Sequence, residues 1–373
     1  MKYSRVCIEA IETLLPQDYL TSTEIEARLD PLYERLNLPT GRIETMTGVL
    51  QRGLWPRDTL PSDISVQTVE NLLRRTNVPR AQIGAFIHGS VCRDYQEPAT
   101  ACDAHRRLYL AQDAVIFDVS NACLGLLTGM IMIANMIELG QIKAGIVVGT
   151  ETSRVLVETT IKELNANTSH TRQTIKDAFA SLTIGSGSAA ILLTDVSISE
   201  TQNRLLGATV RANSQESALC RSQVDVSVGG KASGQTMKTD SGRLLVEGVA
   251  LAKRAFEDFK EEFQLAPEDF SRLFCHQVGV AHERLLFQEL GLDPDKNFGT
   301  FPYLGNTGSV ALPTAAALGI DSGVVHNGDL LGFFGIGSGI NVVLAAIQWN
   351  KTLPSRFPLP DDVLTRFRQL NNC

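Results

Sequence analysis

Long apolar runs are scarce in this 373-residue chain. The one stretch that raises the question of a membrane span, residues 119–137, carries Ser120, Asn121, Thr128 and Asn135 and opens on small, turn-forming residues. It reads as a helix buried on all sides, so stable membrane insertion is not expected. Basic residues are in the minority: 34 Lys and Arg stand against 41 Asp and Glu, a net charge of -7, which argues against nucleic acid as the main partner. Paired cysteines are missing as well. The seven cysteines, Cys7, Cys92, Cys102, Cys123, Cys220, Cys275 and Cys373, form an odd set without Cys-x-x-Cys or Cys/His ligand spacing. That argues against a disulfide framework and a structural zinc site, leaves no metal expected, and points to a reducing compartment. No uninterrupted apolar segment with a cleavage site opens the chain, and a cytoplasmic location is the expectation. With 14 prolines and 30 glycines, the composition is neither collagenous nor disordered.

What is present is α/β patterning. Short β-branched runs at 83–88, 114–119, 145–149 and 189–194 alternate with helical patterns at 64–76 and 124–139. The order then repeats. RLFCHQ (272–277) resembles GAFIHGS (84–90), a strand ending at a histidine, and LGNTGSVALPTAAALG (304–319) resembles SNACLGLLTGMIMIANMIELG (120–140), a small-residue turn opening into an apolar helix. Two similar halves, 1–198 and 199–373, are expected to face one another through these turns across a pseudo-two-fold. Three stretches stand outside the repeat: a helix-prone insertion at 154–181, a Ser/Gly/Gln-rich segment at 214–242 that reads as a mobile loop, and a tail from Asn350 expected to lie on the surface or fray.

Cys123 lies in DVSNACLG, where a strand ends near Val119 and an apolar helix begins near Leu124. The free N–H groups and positive end of that helix are expected to favour a thiolate, making Cys123 a candidate nucleophile; the common fate of a free cysteine is otherwise plain packing. His276 ends the strand of CHQVG, and Asn306 sits in the turn that matches the Cys123 turn. A thiol, an imidazole and an amide donor at one end of a sheet suit thioester chemistry, the two donors holding an enolate or oxyanion. Cys275 should point away from His276 and pack.

Taken together, DVSNACLG, CHQVG, YLGNTGSVALP and FGIGSG, in that order, resemble the ketoacyl synthase III branch of the thiolase superfamily over residues 4–349. The resemblance implies an α/β thiolase fold with duplicated halves in five layers, α/β/α/β/α. It implies that Cys123 is acylated by a thioester, that His276 and Asn306 bind the carbonyl of a second thioester, and that the N–H of Cys123 and that of Gly337 or Ser338 form the oxyanion hole. Within the branch, SVCRDYQEPATAC (90–102) resembles the glutamate loop of the OleA-type long-chain acyl-CoA head-to-head condensing enzymes of olefin biosynthesis. LTSTEIEARLDPLYERL (20–36), GLWPRDTLPSD (53–63) and LLVEGVALAKRAF (244–256) resemble the same group.

That closer resemblance implies a homodimer in which Glu97 reaches the active site of the other subunit and acts as base. The substrate would be long-chain acyl-CoA, with no cofactor beyond the CoA it carries, and the product a 2-alkyl-3-ketoacyl compound made by non-decarboxylative Claisen condensation. Acyl-carrier protein and downstream olefin-pathway enzymes are further partners it admits. The chemistry gives Glu97 a reason to exist: a malonyl donor makes its enolate by losing carbon dioxide, whereas an unactivated acyl-CoA must lose an α-proton to a base.

There are departures. Gly279 stands where fatty-acid synthase relatives usually carry Asn, and RIETMTGV (42–49) lacks the Trp and Arg with which they hold CoA. Residues binding the nucleotide are therefore not assigned, and Arg52, Arg57 and Arg221 read as solvated surface. The alternative activity is a decarboxylating 3-oxoacyl-(acyl-carrier-protein) synthase III using malonyl-carrier protein, which shares Cys123, His276 and Asn306 but gives Glu97 no essential role. A catalytically silent acyl-binding paralogue is a third reading. Apolar residues of the 124–139 helix and the 154–181 insertion could line two acyl channels or simply pack as core.

Overall fold

The β-branched runs become strands. The computed structural model describes residues 1–226 and 232–372. Its strands are β1 (Val6–Leu14), β2 (Asp18–Thr21), β3 (Gln51–Leu54), β4 (Ile83–Gly89), β5 (Val115–Val119), β6 (Ala144–Glu151), β7 (Gly187–Asp195), β8 (Arg204–Ala212), β9 (Cys220–Val226), β10 (Ala232–Thr239), β11 (Arg272–Cys275), β12 (Leu330–Gly337) and β13 (Asn341–Gln348). One sheet runs β11-β12-β13-β8-β1-β7-β6-β4-β5, while β2 pairs with β3 and β9 with β10. The large sheet is two half-sheets joined at a narrow seam, where β1 and β8 share a single register pair, Cys7 with Arg204.

Each half-sheet repeats the same pairing. β4 lies parallel to β6, which runs antiparallel to β7, which runs antiparallel to β1. In the other half β11 lies parallel to β12, followed by antiparallel β13 and β8. β5 extends the first half; its counterpart is reduced to one parallel bridge between Leu273 and Asn297.

Alternation along the strands then sets the layers. Ile87, Val147, Ile191, Phe333 and Ala345 pack with the helices Gly125–Glu138 and Ala311–Asp321. Their neighbours Phe86, Ile146 and Leu192 face the helices Pro61–Arg75 and Thr100–Arg107. Phe334, Ile336 and Leu344 face Ser241–Phe263 and Val280–Leu290. The result is helices, half-sheet, two central helices, half-sheet, helices: the five layers expected. The central helices are covered from both sides, which is why their sequences are apolar nearly all round. Among the described residues no helix is long and apolar enough to cross a membrane.

Three expectations need correction. The described residues of segment 214–242 form regular structure: Ser214–Leu219 makes a 3-10 turn, and β9 and β10 pair as an antiparallel ribbon with Thr239 buried. The ribbon's tip, 227–231, lies outside the described residues, as does Cys373. The tail does not fray, because the helix Asp361–Leu370 inserts Leu364 and Phe367 into the central core. Arg52 is not surface at all. It is fully buried, with Nη1 donating to the Leu20 carbonyl and Nη2 to Ser22 Oγ, both at 3.0 Å. The 20–36 helices and the insertion close over β3, a tertiary event that no local pattern announces. The insertion itself forms the helices Arg154–Ala166 and Lys176–Leu182, whose Val157, Ile161 and Phe179 join Ile25, Leu32 and Ile43 in a separate apolar cluster.

Candidate active site

β5 ends at Val119, and Ala122–Leu124 makes a 3-10 turn before the helix Gly125–Glu138. Ala122 holds φ at 45°, a left-handed conformation that an L residue seldom adopts. The turn is tight because two backbones touch. A Cβ on Gly125 would lie 2.9 Å from the Gly89 carbonyl carbon, and one on Gly89 would lie 2.5 Å from the Gly125 oxygen. Glycine at both positions lets the helix start against the end of β4, and Cys123 is presented there, partly accessible.

From the other half, β12 and β13 close a three-residue tip, Ser338, Gly339 and Ile340, between the paired Gly337 and Asn341. Gly337 backs onto the thiol turn: a Cβ there would stand 3.5 Å from the Cys123 nitrogen. The N–H groups of Ser338 and of Cys123 itself face the Cys123 sulfur. Asn341 fastens the tip, its Nδ2 donating to Asn121 Oδ1 at 2.9 Å and to the Ser338 carbonyl at 3.3 Å. Both N–H groups favour a thiolate, but burial outweighs them. The thiol is pushed up to about 12, with Cys220 and Glu151 adding to the rise. The helix-end expectation of a thiolate is therefore opposed by desolvation, which favours the protonated thiol.

Asn306 sits in the matching turn of the second half. Gly305 before it has φ +69, and a Cβ there would come 2.5 Å from the Thr183 carbonyl. The Asn306 N–H donates to that carbonyl at 2.9 Å, and its own carbonyl accepts from Gly185 at 2.9 Å. Its Oδ1 accepts the Gly308 N–H at 3.0 Å, which leaves Nδ2 to donate outward. The 3-10 turn Gly308–Val310 that follows packs against the Cys123 turn, so the two equivalent turns face one another as the repeat implied.

His276 is buried immediately beyond β11, its N–H donating to the Phe334 carbonyl at 3.1 Å. It therefore lies beside the stretch of β12 whose Gly335 and Gly337 touch Leu124 and Cys123. Burial pushes its pKa down to about 3, with His282 adding to the fall, so the imidazole is neutral at physiological pH. The two rings meet edge to face, centroids 6.4 Å apart. Cys275 packs in the outer cluster, as expected.

Glu97 stands apart. Its loop is fastened at both ends: before Glu97, Val91 and Cys92 donate backbone N–H groups to Glu151, Arg93 pairs with Asp118 at 3.2 Å and Asp94 accepts from the Ser62 N–H at 2.9 Å, and after it the Thr100 N–H donates to Asp118 at 2.8 Å. The tip between is exposed, and Glu97 makes no hydrogen bond or ion pair with any described residue. Within one chain, Cys123 and Ser338 are in direct reach, the Asn306 turn packs against the Cys123 turn, His276 lies beside β12, and Glu97 is not among them. Sequence reasoning missed Glu151, His282 and Asn341. A carboxylate closing the apolar strand KAGIVVGTE, and a second histidine six residues after His276, were the signals available.

Comparison with known proteins follows the same lines. Residues 261–349 match the 3-oxoacyl-[acyl-carrier-protein] synthase III C-terminal family, and residues 44–221 match the thiolase N-terminal domain. The acyl-CoA:acyl-CoA alkyltransferase of Shewanella oneidensis is 40% identical over 352 residues, 94% of this chain and 100% of that protein. The chain belongs to the acyl-CoA:acyl-CoA alkyltransferase family. The alkyltransferase of Xanthomonas campestris is 32% identical over 349 residues, again 94% of this chain and 100% of the relative. A crystal structure of a Cys-to-Ser variant of Xanthomonas campestris OleA, with bound lauric acid and lauroyl-CoA, aligns with a TM-score of 0.86 at 31% identity, covering 93% of this chain and 100% of that one. The alkyltransferases are thus thiolase-fold enzymes in which this chain shares the whole architecture and not one motif alone.

Proposed function

We propose that Cys123, His276 and Asn306, with Glu97 of the partner subunit, join two long-chain acyl-CoA molecules by non-decarboxylative Claisen condensation. The Cys123 sulfur takes the acyl group of the first thioester and releases CoA, while the N–H groups of Cys123 and Ser338 hold the oxyanion of the tetrahedral intermediate. The second acyl-CoA lends its thioester oxygen to Asn306 Nδ2 and the neutral His276, which share the charge of the enolate formed when Glu97 takes an α-proton. The carbanion attacks the acyl-Cys123 carbonyl, the sulfur leaves, and a 2-alkyl-3-ketoacyl-CoA results; hydrolysis yields the 2-alkyl-3-ketoacid. Both activations come from thioesters, so CoA enters only as part of the substrate.

The observation that carries this reading is the pair of facing turns, one presenting Cys123 and the other Asn306 with its Oδ1 already taken by Gly308. Halves 1–198 and 199–373 divide the labour, the thiol on one and the imidazole and amide on the other. The exposed, unpartnered Glu97 and the sheet edge left by β5 support a homodimer that completes the site. A cytoplasmic setting, with an olefin pathway consuming the ketoacid, fits the same chemistry.

The test is incubation with myristoyl-CoA as sole substrate, following free CoA and the mass of extracted products. A ketone of twice the chain length less one carbon, formed as the ketoacid loses carbon dioxide, is the expected result. Turnover that begins only when malonyl-carrier protein is added would instead favour the decarboxylating synthase, the activity named in the match over residues 261–349.

A further inference from the structure

Glu151 closes β6 as a carboxylate only 4% exposed. Its Oε1 accepts the Val91 N–H at 2.9 Å, the Ser309 N–H at 3.2 Å and the Ser309 hydroxyl at 2.5 Å, and its Oε2 accepts the Cys92 N–H at 3.1 Å. Among the described residues no Lys or Arg pairs with it. A buried carboxylate without a cation is unfavourable unless donors converge on it, and here four do. They come from two places. Val91 and Cys92 begin the loop that carries Glu97; Ser309 lies in the 3-10 turn that follows Asn306 and opens the central helix Ala311–Asp321, whose positive end also favours an anion.

We propose that Glu151 is the positioning residue that registers the Glu97 loop against the Asn306 turn, one carboxylate clamping the base-bearing segment of one half to the oxygen-binding segment of the other. The inference rests on the reading of Glu97 and Asn306 given above. The clamp is a point of close approach, since a Cβ on Gly308 would sit 3.2 Å from the Glu151 carboxyl carbon. Three of the four donors are backbone amides with no other acceptor on their own segments, so the loss of the carboxylate charge loosens both segments at once. Glu151 also lends its negative charge to the surroundings of Cys123, alongside Cys220, while the amides of Ser338 and Cys123 oppose it. Removal of the charge therefore acts in opposite directions on two readouts, which a residue that merely supports the fold would not do.

The experiment compares wild type with Glu151→Gln, Glu151→Asp and Ser309→Ala, measuring myristoyl-CoA condensation, acylation of Cys123 by intact mass, and iodoacetamide labelling of the Cys123 peptide from pH 7 to 9. Glu151→Gln is expected to label Cys123 severalfold faster at a given pH and to lower condensation at least tenfold, with acylation affected less. Glu151→Asp keeps the charge but withdraws it by a methylene; labelling should stay at the wild-type rate while condensation falls. Should Glu151→Gln not fold, Ser309→Ala carries the test, because it leaves the carboxylate in place and removes one arm of the clamp: condensation falls at least threefold with labelling unchanged. Folded Glu151→Gln or Ser309→Ala enzyme that condenses at the wild-type rate overturns the proposal. If wild type itself made no ketone, the functional reading would fail, and the clamp would then be judged on labelling: an unchanged rate in Glu151→Gln would overturn it as well.

Discussion

The side-chain amides of Asn341 and Asn121, 220 residues apart in the chain, meet at 2.9 Å and hold the β12–β13 tip against the turn that presents Cys123. Asn341 also reaches the Ser338 carbonyl at 3.3 Å, so one side chain governs how far the Ser338 N–H stands from the sulfur. Asn341→Ala removes both bonds, a loss of about 1 kcal/mol each. Acylation of Cys123, followed as the mass adduct formed from myristoyl-CoA, should slow about tenfold. An unchanged rate would mean that the strands hold the tip unaided.

The thiol itself yields a second prediction. Burial pushes Cys123 up to about 12, so near neutral pH the folded protein carries far less thiolate at this position than a free peptide does. Labelling of the Cys123 peptide with iodoacetamide at pH 7 should be at least about tenfold slower than that of a model thiol and should climb through pH 9 without a plateau. A plateau below pH 8 would show that the helix end wins after all.

The two half-reactions should separate. Glu97→Ala is expected to load Cys123 with an acyl chain at close to the wild-type rate and to form no ketone. His276→Ala should slow condensation about a hundredfold or more while slowing acylation less, since its N–H serves the second thioester. Equal losses in both steps would assign His276 to acyl transfer instead.

A network remote from the site makes stability depend on pH. Buried Glu12 and the partly buried Asp321 share one guanidinium, that of Arg75, with Arg75 to Glu12 at 3.1 Å. Burial pushes Glu12 up to about 7; Arg75 opposes that rise and Asp321 adds to it. An unfolded chain releases this proton near pH 4.5 and the folded chain near 7, so folding takes up a proton in between. The stabilisation is complete below pH 4.5 and is lost as pH rises toward 7, by at most about 1.4 kcal/mol per pH unit. Thermal melts from pH 5 to 8 should show wild type losing Tm relative to Glu12→Gln; parallel curves would refute the shift.

Much of the site was legible because its residues lie where element types change. Cys123 follows a β-branched run and precedes a helical one, and His276 and Asn306 recur at matching places in the second half, so the repeat alone set them at one end of the sheet. Glu151 was not legible, because a carboxylate at a strand end is ordinarily solvated, and only the folded chain brings Ser309 to it from 158 residues away. Arg52 misled for the same reason: a basic residue in a short strand looks exposed until Leu20 and Ser22, some thirty residues earlier, take up its N–H groups inside the fold.

The sequence by itself determined the α/β class, the repeated order of its main elements and the candidate thiol, imidazole and amide, since these rest on local periodicity and on residue type. Tertiary structure alone decided the state of those groups. Desolvation of Cys123 and His276 depends on what packs around them from distant segments, and at Cys123 it opposes the thiolate that the local helix end favours. It decided equally that the tail helix belongs to the core, because Phe367 meets Tyr303 and the central cluster only once the chain is folded back on itself.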